Sequence, residues 1–177
     1  MPENATKTVQ VLSVPHTLQG PNFNGYVNDP SYLKLLKQVC ADADFVFEEC
    51  GDKKDSHAEQ LTVARLGVTR YRNLDPPDRK AVGIPETTGG GGPIDYSQRP
   101  QPGMPPDCYE WCIPSAQQLR EEYWVKMVLG IEFKKALAVV GLAHTLSFTF
   151  RLQSAGVAVR DPITYTPYHH FQIIQKC

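Results

Sequence analysis

Short apolar runs alternate along this chain with segments whose apolar residues recur at helical spacing. Residues 9–14 are rich in β-branched and aliphatic side chains, which is typical of a strand covered on both faces. A second run, residues 44–49, ends in adjacent carboxylates, and a third, residues 136–140, shortly precedes His144. The pattern therefore predicts three buried strands at these places.

Helices are predicted between and after these runs, because capping residues precede segments of helical periodicity. Asp29 is the N-cap of the first helix and Pro30 occupies its first turn. The other helices are expected from Asp55 or Ser56 to Leu66, from Ser115 to about Leu129, and from about Thr145 to Ser154. Gly67 and Gly156 are placed to end the second and the fourth.

Two further strands are predicted at residues 68–74 and 157–160, and the tail, residues 163–174, is expected to add an edge strand. Strand, helix and strand in succession form the βαβ unit of a parallel sheet. We therefore expect one α/β domain spanning residues 1–177, with a mainly parallel sheet flanked by helices.

The composition changes between Pro85 and Pro106, where four consecutive glycines, Gly89 to Gly92, lie among several prolines. Such a stretch cannot form a helix or a central strand. We predict a flexible loop or lid over residues 86–107, inserted within the domain.

Charge and composition narrow the class of protein. A formal net charge of −1 over 177 residues provides no basic surface for nucleic acid. No apolar run approaches the roughly 18 residues of a membrane span, and the polar start lacks a secretory leader. We expect a cytoplasmic protein whose five cysteines are reduced. Whether copies of the chain assemble into an oligomer is left open.

The tripeptide His-Thr-Leu occurs twice, at His16 and at His144, and each copy follows an apolar run. Ligands and catalytic groups in open parallel sheets gather outside the carboxyl ends of the strands. Two distant histidines are thus expected to meet in one cleft, together with Glu48 or Glu49 at the end of another strand. Alternation along a strand allows only one of these two carboxylates to face the cleft, and the sequence leaves open which.

Imidazole nitrogen and carboxylate oxygen can serve as general acid and base or bind a divalent metal ion. We therefore take His16, Glu48, Glu49 and His144 as candidate catalytic residues, and His16, Glu48 and His144 as candidate metal ligands. Arg120 projects from the apolar face of its helix and would need a carboxylate or a ligand as partner. It is a candidate for stabilising negative charge during a reaction.

The segment Gly141-Leu142-Ala143-His144 fits a Gly-x-x-His signature, and Ser13-Val14-Pro15-His16 fits it with serine in place of glycine. Two such strand ends, with a glutamate after another strand, resemble the superfamily that includes the TraB and PrgY proteins, the Tiki metalloproteases, the erythromycin esterases and the ChaN-type haem-binding lipoproteins. The resemblance implies a shared sheet and cleft, while the activities of its members differ widely.

Over most of its length the chain also resembles compact bacterial proteins of unknown function with the same order of motifs. The motifs are His-x-x-Gln (His16, Gln19), the acidic strand end, Asp75-Pro76 before Arg79, and Arg-Glu-x-x-Trp (Arg120, Glu121, Trp124). We take five of these as candidate substrate-binding residues: Gln19, Asp75, Arg79, Glu121 and Trp124. Asp75, before two prolines, is as readily a turn residue.

Three functions remain open. A metal-assisted or His/Glu-dependent hydrolase would cleave an ester or amide bond of a small molecule or a peptide. A binding module would hold haem, a metal ion or a small metabolite in the same cleft without turnover. An interaction protein would use the Gly/Pro-rich loop to dock a partner. Histidines and carboxylates at strand ends favour the hydrolase.

Overall fold

One parallel sheet of five strands organises the part of the chain that the computed structural model describes, residues 6–51, 54–84 and 116–167. The strands are β1 (Thr8–Val14), β2 (Phe45–Glu48), β3 (Tyr71–Asn73), β4 (Lys135–Gly141) and β5 (Ala158–Thr164). Their order in the sheet is β3-β2-β4-β1-β5, and every pairing is parallel. The predicted α/β fold with a parallel sheet is confirmed.

Within the described ranges, four helices flank the sheet: α1 (Pro30–Ala41), α2 (His57–Leu66), α3 (Ala116–Gly130) and α4 (Thr145–Ser154). The predicted caps of the first two are present. The Asp29 carboxylate accepts hydrogen bonds from two backbone N–H groups of α1, and the Ser56 hydroxyl accepts one from Glu59. The predicted start of α3 at Ser115 lies outside the described residues, as does the predicted loop or lid at 86–107.

The edges of the sheet differ from the prediction. The strand predicted at residues 68–74 is shortened to the three residues of β3, because Val68–Arg70 forms a 3-10 turn. The last strand is longer than expected and runs through Pro162, with a register shift against β1. Proline and irregular pairing are tolerated there because β5 lies at the edge of the sheet, where one side needs no hydrogen-bonded neighbour. The expected separate strand at 163–174 therefore begins inside β5, and its end lies outside the described residues.

Alternating side chains of the central strands supply two apolar cores, one on each face. Phe45 and Phe47 of β2 join the core beneath α3 and α4, together with Trp124 and Phe148. Val46, between them, joins the core beneath α1 and α2. This period of two decides on which face any side chain at the end of β2 emerges.

The three central strands end side by side. Val14, the last residue of β1, pairs in register with Gly141, the last residue of β4, and β2 lies on the other side of β4. The loops that follow β1, β2 and β4 are thus neighbours at the carboxyl ends of the strands. Among the described residues, no helix is long and apolar enough to cross a membrane.

Candidate active site

Three strand ends bring His16, Glu49 and His144 together. His16 opens a 3-10 turn after β1, Glu49 directly follows β2, and His144 closes a 3-10 turn after β4. The Nε2 atom of His16 is 3.7 Å from Glu49 Oε1, and the Nε2 atom of His144 is 3.4 Å from the same oxygen. One carboxylate oxygen therefore lies beside both imidazoles.

Glu49, and not Glu48, is the carboxylate that faces the histidines. Phe45, Phe47 and Glu49 alternate onto the face of α3 and α4, so the Glu48 side chain emerges on the opposite face. There Glu48 accepts hydrogen bonds from Gln19, Ser56 and Tyr71. The predicted ligand set of His16, Glu48 and His144 is thus corrected. The Glu48 side chain lies on the opposite face of the sheet, and Glu49 is the carboxylate beside both histidines.

Backbone and side-chain donors fix the Glu49 carboxylate. Its Oε2 atom accepts a hydrogen bond from the Gly141 N–H at 2.8 Å, and its Oε1 atom accepts one from Arg120 Nη2, also at 2.8 Å. Burial alone would raise the pKa of Glu49. The hydrogen bond from His144 and the charges of His144, His16 and Arg120 prevail and lower the pKa to about 2. Glu49 is therefore ionised throughout the physiological range.

Arg120 links Glu49 to Asp75. Its Nη2 atom lies 2.8 Å from Asp75 Oδ1 and 3.0 Å from Oδ2, and its guanidinium carbon lies 4.9 Å from the centre of the Trp124 ring. With two carboxylates on one guanidinium, the cation is neutralised inside the protein. This arrangement suits Arg120 to holding Glu49 in place better than to the predicted role of stabilising charge on a substrate.

His144 is held by a second carboxylate. Its Nδ1 atom lies 2.7 Å from Glu121 Oε1, and the Trp124 ring packs edge-on against the imidazole with centroids 4.8 Å apart. Burial alone would lower the pKa of His144, but the bonds to Glu121 and Glu49 prevail and raise it to about 9. His144 is therefore an imidazolium at neutral pH, although its side chain is only 8% exposed.

His16 has different surroundings. Its side chain is 50% exposed, its ring is parallel to Phe23 at 6.5 Å, and its Nδ1 atom lies 2.5 Å from the amide oxygen of Gln19. The partner on Nδ1 is thus an uncharged amide, whereas His144 has a carboxylate there. The two histidines of the repeated tripeptide occupy corresponding places but are polarised differently.

The residues predicted to bind substrate are mostly engaged by the protein. Gln19 and Trp124 are completely buried, and Asp75 and Glu121 are buried in hydrogen bonds. Asp75 accepts from the Gly51 N–H as well as from Arg120, and Arg79 Nη2 lies 3.4 Å from Oδ2, the oxygen that accepts from Gly51. These contacts make Gln19, Asp75, Glu121 and Trp124 supports of the site, and their direct contact with substrate stays a prediction.

Four supporting residues were not among the predicted site residues: Ser56, Tyr71, Ser147 and Arg151. Glu121 accepts hydrogen bonds from Ser147 at 2.7 Å and from Arg151 at 3.1 Å, both on α4. Ser56 and Tyr71 bind Glu48 from α2 and β3. Each is an ordinary polar residue in the sequence, and only contacts between distant elements give it a place in the site.

The resemblance implies a divalent metal ion between His16, Glu49 and His144. Two imidazoles and a carboxylate are suitable ligand types. However, the Glu49 oxygen that lies beside both imidazoles already accepts from the Arg120 guanidinium, which places one cation where a metal ion would have to bind. Within the described residues no group of three or more His, Cys, Asp or Glu side chains is arranged to hold a metal ion. The residues therefore do not fit a resident metal.

Comparison of the chain with protein-family models, with curated proteins and with solved structures finds no match.

Proposed function

We propose that the protein is a hydrolase that cleaves an ester or amide bond with His16, Glu49 and His144 and without a metal ion. The observation that carries this proposal is the position of one ionised carboxylate oxygen beside two imidazole Nε2 atoms, at 3.7 Å and 3.4 Å. Acid–base catalysis needs two groups of opposite protonation within reach of one substrate.

The surroundings of the histidines assign their roles. His144 bonds to a carboxylate through Nδ1 and is an imidazolium, so it is the proton donor. His16 bonds to an uncharged amide and is half exposed, so it is the base that substrate and water can reach. Environments that separate the protonation of two similar groups are the usual basis for an acid and base pair.

In the proposed reaction, His16 Nε2 takes a proton from water as the water oxygen bonds to the carbonyl carbon. The ionised Glu49 carboxylate stabilises the positive charge that develops on His16. The bond from the carbonyl carbon to the alcohol oxygen or amine nitrogen then breaks, and His144 Nε2 gives its proton to that leaving atom. Return of a proton from His16 to His144, past Glu49, restores the starting state.

We also propose that the chain is related to the superfamily of TraB, PrgY, Tiki, erythromycin esterase and ChaN-type proteins. In support, His16, Glu49 and His144 follow three adjacent strands, as the signature of that superfamily requires. The Arg120 contact with Glu49 departs from a metal-binding arrangement, which is why we favour hydrolysis without a metal.

The test is hydrolysis of a panel of p-nitrophenyl esters, anilides and short peptides by the wild type and by His16→Ala, His144→Ala and Glu49→Gln. We expect each variant to lower kcat by roughly 10²- to 10⁴-fold. His57→Ala is the matched control, because His57 contacts Tyr26 rather than Glu49 and should retain full activity.

Melting curves of the same proteins separate chemistry from folding. A variant that melts like the wild type and has lost turnover supports the proposal. A wild type that cleaves nothing in the panel but binds haem, a metal ion or a small ester analogue in the cleft would replace the hydrolase with a binding module.

A further inference from the structure

Gln19 connects His16 to the buried Glu48. Its side chain is inaccessible to solvent, and its amide nitrogen lies 3.0 Å from Glu48 Oε1 and 3.0 Å from the backbone carbonyl oxygen of Glu49. Its amide oxygen lies 2.5 Å from His16 Nδ1. The hydrogen bonds that the structure shows for this amide therefore all join it to other groups of the protein.

The Glu49 carbonyl decides which way the amide points. A backbone carbonyl oxygen only accepts hydrogen bonds, so the atom that faces it must be the NH₂ group of Gln19. The amide oxygen is then the atom that faces His16. This assignment depends on a main-chain group and is independent of the protonation of Glu48.

The amide in turn decides which nitrogen of His16 carries hydrogen. An amide oxygen only accepts, so His16 Nδ1 must donate to it. In the neutral ring the lone pair is then on Nε2, the atom that lies 3.7 Å from Glu49 Oε1. The base of the proposed reaction therefore has its lone pair on the side of the cleft.

Glu48 is itself anchored on the far side of Gln19. Its Oε2 atom accepts hydrogen bonds from the Ser56 hydroxyl and from the Tyr71 hydroxyl, the latter at 2.8 Å. Ser56 also caps α2 through Glu59 N–H. A buried carboxylate with three donors is thus placed where it holds the Gln19 NH₂ group, which explains a costly buried acid that the reaction does not use directly.

We propose that Gln19 is a positioning residue: held by Glu48 and by the Glu49 carbonyl, it fixes the Nδ1–H tautomer of His16 and directs the Nε2 lone pair into the cleft. This inference rests on the proposed role of His16 as base. It assigns Gln19 a task that does not involve touching substrate.

The tautomer is measured directly by long-range proton–nitrogen correlation on nitrogen-15-labelled protein, with the His16 signals assigned by their loss in His16→Ala. For the neutral His16 ring of the wild type, we expect the signal of a bare nitrogen at Nε2 and of a protonated nitrogen at Nδ1. A wild type with the hydrogen on Nε2 overturns the proposal, whatever its activity.

Two variants distinguish the role of the Gln19 amide oxygen, which accepts from His16, from that of the amide NH₂ group. Gln19→Met removes the acceptor for His16, and we expect a mixture of tautomers and a fall in kcat of roughly 10- to 100-fold with little change in KM. Gln19→Glu retains an oxygen opposite His16 Nδ1 but removes the donor to Glu48 and to the Glu49 carbonyl, so we expect the Nδ1–H tautomer together with a lower free energy of unfolding. Gln60→Met is the control, since the Gln60 amide bonds the exposed carbonyl of Asp55.

The outcomes distinguish this inference from the proposed function. A wild type with the expected tautomer and no hydrolysis contradicts the function and leaves the geometry of Gln19 intact. An active enzyme in which Gln19→Met retains both kcat and the tautomer of the wild type refutes the positioning role. If Gln19→Met fails to fold, the wild-type spectrum and Gln19→Glu still decide the question.

Discussion

Gly141 leaves room for His16. A Cβ atom at position 141 would lie 2.8 Å from His16 Nε2 and 3.1 Å from Glu49 Oε2. These are the two groups that the proposed reaction brings together, so hydrogen is the only side chain that position 141 accommodates without moving them. The backbone of Gly141 is in an ordinary extended conformation, so the requirement is one of space and not of dihedral angle.

We therefore predict that Gly141→Ala displaces His16 and lowers kcat/KM for ester hydrolysis at least tenfold. Crowding of this kind costs about 1–3 kcal/mol of unfolding free energy. Gly130→Ala is the matched control, because a Cβ at position 130, at the end of α3, would have no neighbour within 4 Å. Equal activity of the two variants would show that the close approach to His16 has no functional consequence.

Glu121 should control the alkaline limb of the activity profile. Because Glu121 and Glu49 raise the pKa of His144 to about 9 against the effect of burial, we expect kcat to fall as pH rises through about 9. Glu121→Gln removes the carboxylate on Nδ1, so the limb should move to lower pH. The profile is measured as kcat against pH.

Glu122→Gln provides the control for that experiment, since Glu122 is exposed and contacts Arg151 instead of His144. The unfolding free energy supplies a second readout. The folded-state pKa of His144 lies above its ordinary value of 6.5, so its stabilising contribution is complete below that pH and is lost as pH rises through about 9. An unchanged alkaline limb in Glu121→Gln would contradict the assignment of His144 as proton donor.

Arg120 should matter for stability as much as for activity. Arg120→Met leaves Glu49 and Asp75 without their shared cation, and loss of one partner from such a buried network costs roughly 3–5 kcal/mol. We expect a lower free energy of unfolding in urea and reduced kcat. Arg160→Met, which breaks an exposed pair with Asp42, should unfold like the wild type. Similar losses in both variants would argue against a special role for the buried network.

Chelation tests the absence of a metal from the reaction. The Arg120 guanidinium on Glu49 opposes a second cation there, so dialysis against a chelator should leave the rate of ester hydrolysis unchanged. Metal analysis of the wild type beside His16→Ala and His144→Ala provides the complementary measurement. A stoichiometric ion in the wild type that both variants lack would establish a metal site and refute the metal-free reaction.

The central strands and the capped helices were predictable because their signals are local. Residues 9–14 and 45–47 place apolar side chains on both faces of the sheet, and Asp29 and Ser56 cap helices with their own neighbours. The edges were less predictable. A three-residue strand and a strand through Pro162 depend on partners elsewhere in the sheet, which compensate for weak local preference.

The convergence of the two histidines was predictable for a related reason, since parallel strands in one sheet end at the same edge. The choice between Glu48 and Glu49 was not. Alternation separates the two side chains, but the face that carries α3 is decided only when Arg120 and His144 pack on it. The sequence predicts Gln19 as a substrate-binding residue from its place in the His-x-x-Gln motif, and its contacts with Glu48 and the Glu49 carbonyl, both distant in sequence, gave no local signal.

What the sequence determined by itself is the set of elements and the kind of side chain at each strand end, because periodicity and capping act between neighbouring residues. The tertiary structure alone decided strand order, which carboxylate meets the imidazoles, and the different partners of His16 and His144. Those relations depend on contacts between segments far apart in the chain, where burial and hydrogen bonding determine the charge and direction of each group.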